Sequence, residues 1–137
     1  MRRDERGSTA LETVVLVPAL MALVGLVVAG ARLWTVRADV DEAAHRAART
    51  ATVLSDSRTS GPLGEAAGRA NLADVPCAAG NVDVDAADLS RPPGTPGRVT
   101  ATVTCTVMLA DLVLPGLPGQ ITISADAGSV TDRYRGR

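Results

Sequence analysis

The chain has 137 residues, two cysteines, a formal net charge of −1, and fourteen basic side chains that are all arginine. With 46% hydrophobic residues but no Phe, one Trp and one Tyr, it has material for one small domain on a thin aliphatic core. Near-neutral charge without a long basic block argues against nucleic acid as a direct partner, and no residue pattern calls for a cofactor or a resident metal.

The N-terminus carries Arg2, Arg3 and Arg6, and then the single carboxylate Glu12 stands at the edge of an apolar run. Thr13 to Ala31 gives 19 positions without a charge, a helical rod of roughly 28 Å, close to the hydrocarbon thickness of a bilayer. A cleaved secretory signal would be shorter and would break into a loop, whereas here the helical rhythm continues. A helix that is apolar all round also exceeds what the remaining hundred or so residues could wrap. Pro18 removes one backbone donor inside the run, so a kink or local unwinding is expected between Val14 and Pro18. The expected layout is a cytoplasmic leader over 1–12, a transmembrane helix over 13–33 and an extracytoplasmic domain over 34–137, with Trp34 at the membrane interface.

Charge flanks support this orientation only weakly, since Arg32 and Arg37 follow the run. The cysteines add to it. Cys77 and Cys105 both follow the run, and an even pair in a small domain reads as one disulfide formed in an oxidising compartment, the alternative being two unrelated thiols.

Beyond the run, Leu33, Val36, Val40, Ala43, Ala47, Ala51 and Leu54 recur at steps of three and four, an amphipathic pattern that continues one helix from Leu11 to Leu54. The stretch SDSRTSGPLG interrupts it, and a second, short helix is expected in LGEAAGRANLAD, residues 63–74, weakened by Gly64 and Gly68. Three segments then alternate with period two: NVDVDA (81–86), RVTATVTCTVML (98–109) and QITISADA (120–127). Each has one apolar face, the signature of a half-buried antiparallel sheet, with Cys105 on that face. The expected fold is therefore α+β and pilin-like, a long N-terminal helix packed on a small antiparallel sheet of about three strands. The loop before the third strand holds Leu112, Val113, Leu114 and Leu117, which either fold onto the core or offer a contact to a partner or membrane.

Catalysis has little support. His45 is the only histidine and lies in the alanine-rich helix beside Arg46, without an accompanying nucleophile motif. Asp83, Asp85 and Asp88 could gather around calcium but lack the glycine and bidentate glutamate of an EF-hand loop, so they read as a solvated strand edge. The DRYR segment holding Tyr134 reads as a polar tail.

The order of basic residues, Gly7, Ser8, Thr9, Ala10, Leu11, Glu12 and an apolar run resembles the class III signal of type IV pilins and pseudopilins. In that family a membrane peptidase cuts after the glycine and the fifth mature residue is glutamate. More closely, Arg6, Gly7, Ala10, Leu11, Glu12 and Pro18, with the alanine-rich VDEAAHRAARTA that follows, resemble the TadE-like pseudopilins of tight-adherence (Flp) pili, and the ending ITISADAGSVTDRYRGR is similar to actinobacterial members. Thr13 stands where the major Flp pilins carry an aromatic residue, which argues against the fibre subunit itself. The resemblance implies a structural membrane protein processed between Gly7 and Ser8 by a prepilin peptidase. Glu12 and Pro18 would set assembly and register, and other pilins and the secretion platform would be its partners. The competing expectation is an uncleaved, single-span anchor carrying an extracytoplasmic binding module.

Overall fold

A computed structural model of the chain describes residues 5–54, 57–92, 94–112 and 118–131. Helix α1 runs over Glu5–Val53, 49 residues, about 73 Å of rod at helical rise. It begins six residues before the expected start and passes through Pro18 without a break in the helix, so the unwinding expected there does not occur. One missing donor is a small local loss in a helix whose hydrogen bonds continue on both sides.

Helix α2 spans Ser57–Asn71 and also starts six residues earlier than expected, incorporating Gly61 and Pro62 from the stretch read as a break. The reason is tertiary: α2 lies against α1 and over strand β1 (Ala79–Asp85), and its glycines are the contact points. A Cβ on Gly64 would stand 2.8 Å from the Ala47 carbonyl oxygen and 3.0 Å from Ala51 Cβ. On Gly68 it would stand 2.8 Å from Val82 Cγ1. The glycines that lower helix propensity allow the close approach that holds the helix in place.

Strand β1 pairs antiparallel with β2 (Arg98–Met108), which pairs antiparallel with β3 (Gln120–Val130), in the order β1-β2-β3. The register sets Val82 against Val103 and Val103 against Ala125, while Cys105 faces Ile123. All three strands fall within a few residues of the alternating segments, and β2 shows why: Val99, Ala101, Val103, Cys105 and Val107 are buried, with threonines between them on the outer face. On that outer face Thr102 donates to Asp126 at 2.7 Å, and the Thr106 and Thr122 hydroxyls lie 3.0 Å apart.

The buried face of α1, formed by Val36, Val40, Ala43, Ala44, Ala47, Ala48 and Ala51, covers β2 and β3. Ala51 clusters with Val99 at the start of β2, whereas Leu33 packs on the cluster that holds Val107 and Leu112 at its end. β2 therefore runs antiparallel to α1, and the α+β arrangement is a long helix on a three-stranded sheet.

The β1–β2 connection is organised by Asp88, which lies within a 3-10 turn at Ala87–Ser90. Its carboxylate meets Arg91 at 2.9 Å and accepts the Arg98 N–H at 3.0 Å. Asp88 thus serves the turn, while Asp83 and Asp85 are exposed on β1. At the other end a single helical turn, α3 (Leu109–Leu112), follows β2, and Leu109 N–H donates to the Gly119 carbonyl at 3.0 Å. Gly119 has φ of 129°, and a Cβ there would meet Leu109 Cδ1, so this corner needs a residue without a side chain.

Candidate functional site: the exposed half of the N-terminal helix

α1 is long and apolar enough to cross a membrane. Between Val14 and Val28, eleven large apolar side chains are 47 to 70% exposed. Leaving that much aliphatic surface in water costs on the order of 10 to 20 kcal/mol relative to burial. A band of this size calls for a covering phase, and the uncharged run 13–31 that contains it, roughly 28 Å of helix, is close to the hydrocarbon thickness of a bilayer. Gly25 and Gly30 have no other atoms within 4 Å of a Cβ position, so the helix stands clear of the domain there. Gly7, Ser8 and Glu12 fall inside α1 by backbone, and the side chains of Ser8 and Glu12 lie outside those described.

After Ala31 the helix changes character within one turn. Arg32, Trp34, Thr35 and Arg37 are exposed, Trp34 by 76%, while Val36 and Val40 are buried. Further along, the solvent face is laced by Glu42 to Arg46 at 2.7 Å and Asp41 to His45 at 3.5 Å, both at the i, i+4 spacing that favours exposed helix. The hydrogen bond from Arg46, then its positive charge, hold the Glu42 carboxyl below its ordinary pKa. His45 is exposed and donates from Nδ1 to the Asp41 carbonyl at 3.0 Å. It lines an open groove with Arg46, Arg49 and Ser129, but the Ser129 hydroxyl lies 3.1 Å from that of Thr52. Among the described residues no cluster of three or more His, Cys, Asp or Glu side chains forms that could hold a metal ion.

Cys77 and Cys105 form a disulfide with a Cα–Cα distance of 5.4 Å. It ties the segment following α2 to the inner face of the middle strand. Leu112 does not remain available as a partner contact: it is 4% exposed and part of the main core, because α3 folds back toward α1. Val113, Leu114 and Leu117 lie outside the described residues. Two structural roles escaped the sequence reading. One is the use of Gly64 and Gly68 as packing points, for which their spacing of four was the available signal. The other is the link from Arg32 Nη1 to the Asp111 carbonyl at 3.3 Å, which no local pattern could reveal across 79 positions.

A model of the family described as TadE-like protein matches residues 7–49. No curated protein and no solved structure matches the chain. The matched stretch lies entirely within α1 and spans the exposed apolar band and most of the buried stripe that docks on the sheet. Over residues 7–49 the chain is thus similar to TadE-like proteins.

Proposed function

We propose that this chain is a minor pseudopilin that contributes to assembly of a tight-adherence pilus. In this reading it is anchored by residues 13–33, with 1–12 in the cytoplasm and 34–137 outside. The observation that carries it is the coincidence of the TadE-like match with an exposed apolar band that begins just behind Glu12. The disulfide supports an oxidising location for the domain. The role is structural and not enzymatic: the chain supplies surface and register, and its partners are other pilins, the secretion platform and a prepilin peptidase.

Glu12 explains how register could be set. Cleavage after Gly7 would expose the Ser8 amine, and that cation could pair with the Glu12 carboxylate of a neighbouring subunit. Each charge relieves the other's desolvation in the bilayer, so an unpaired or misaligned subunit is penalised.

The test is the intact mass of membrane-extracted protein expressed with and without a prepilin peptidase. Loss of residues 1–7 only when the peptidase is present is the expected result. A full-length mass under both conditions would instead favour the uncleaved anchor with a binding module. In the processed protein, Glu12→Ala should leave the thermal unfolding of the domain unchanged and abolish its recovery with partner pilins; normal recovery would remove the pairing mechanism.

A further inference from the structure

The antiparallel run of β2 against α1 decides which end of the domain faces the apolar band. The start of β2, with Asp85, Asp88, Arg91 and Arg98 around it, lies at the far end beside Ala51. The end of β2, α3 and the start of β3 lie at the near end. There Arg32, the first residue after the apolar run, donates from Nη1 to the Asp111 carbonyl at 3.3 Å. α3 therefore sits level with the helical turn at which the apolar band stops.

The two ends differ in chemistry as well as in place. Among the described residues 108–112 and 118–120 the only charged one is Asp111, and Met108 is 49% exposed. On α1, Trp34 is exposed, as are Arg32 and Arg37, its neighbours two and three positions away. Apolar side chains, an indole and arginines at one level are what a lipid interface accommodates, since each offers an apolar body to the acyl region and a polar end to the headgroups.

We propose that the β2–β3 corner is a second membrane contact. Met108 and Leu109 rest on the lipid interface at the level where the apolar band ends, so the domain stands on the bilayer at a fixed tilt and does not swing on α1 alone. Interfacial anchors of this kind set the tilt of a spanning helix, which its apolar length leaves undetermined. This inference rests on the membrane anchoring proposed above, and it adds a surface and a partner, a lipid surface, to it.

Trp34 is the only tryptophan, which makes the test direct. Full-length protein is reconstituted in phosphatidylcholine and phosphatidylglycerol vesicles carrying bromine near the top of the acyl chains, and indole fluorescence is compared with unbrominated vesicles. Three proteins are measured: the natural chain, Trp34→Phe with Met108→Trp, and Trp34→Phe with Val130→Trp. Val130 ends β3 opposite Arg98, 73% exposed and about 33 Å of strand from the corner. Trp34 and the indole at position 108 should both be quenched, the latter at least about threefold more than the indole at position 130. Quenching of Trp34 with equal, weak quenching at 108 and 130 would overturn the second contact and leave the anchor standing. No quenching of Trp34 would overturn both. If the double variants lose their β-sheet circular dichroism, the natural chain answers through gadolinium-bearing lipids. Amide broadening over residues 108–112 well above that at 98–99 supports the contact, and equal broadening refutes it.

Discussion

Replacing Cys77 and Cys105 together with serine and alanine, respectively, is expected to lower the domain's unfolding free energy by about 3 to 4 kcal/mol. The bond closes a loop with a sequence separation of 28, and restriction of the unfolded chain alone accounts for that magnitude. Little else could compensate. Among the described residues the largest fully buried side chains are Val40, Val99, Val103, Val107, Cys105 and Ser60, with no aromatic ring among them, and each valine contributes only about 1.5 to 3 kcal/mol on burial. At about 4 to 8 °C per kcal/mol for a domain near 100 residues, the transition should fall by roughly 12 °C or more. Circular dichroism melts of oxidised protein, reduced protein and the double variant in one detergent provide the measurement. A loss under about 1 kcal/mol would mean that the core stands without its covalent link.

Gly64→Val should be the most damaging exchange in α2, at about 1 to 2 kcal/mol. Two effects compete. Removing a glycine from a helix interior gains up to about 1 kcal/mol of propensity, whereas overpacking a close contact costs about 1 to 3 kcal/mol. Overpacking prevails because the obstructing atom is the Ala47 carbonyl oxygen, 2.8 Å from the new Cβ, and backbone within α1 cannot turn aside as a side chain can. Gly64→Ala meets the same oxygen with the same sign and a smaller loss. Chemical denaturation combined with hydrogen exchange across Ser57–Asn71 would show the helix detaching from α1 before the sheet melts. A Gly64→Ala protein more stable than the natural one would sink the close-packing account.

The strands show what local pattern can carry. In β2 the period-two alternation of Val and Thr determines both the conformation and the buried face, because a strand whose alternate residues are apolar can satisfy them in only one orientation. The apolar band of α1 is likewise written in consecutive residues, since exclusion from water depends on length and composition and not on partners. The likeness to TadE-like proteins over residues 7–49 was legible in the same way, from a short ordered motif and the run behind it.

α2 and the β2–β3 corner show the opposite case. Gly61, Pro62, Gly64 and Gly68 argue locally against a helix, and only the docked surface of Ala47, Ala51 and Val82 turns those small residues into an advantage. For Leu112 the proline-rich loop left open either a core position or a partner contact, and it is a core residue because α3 returns to α1. By itself, then, the sequence determined the long apolar helix, the three amphipathic strands and the family likeness, all of which depend on neighbours along the chain. Tertiary structure alone decided where α2 begins, which end of the sheet lies beside the apolar band and which loop leucine is buried. Those outcomes depend on packing between residues up to 79 positions apart, as at Arg32 and Asp111, whose contact no local periodicity encodes.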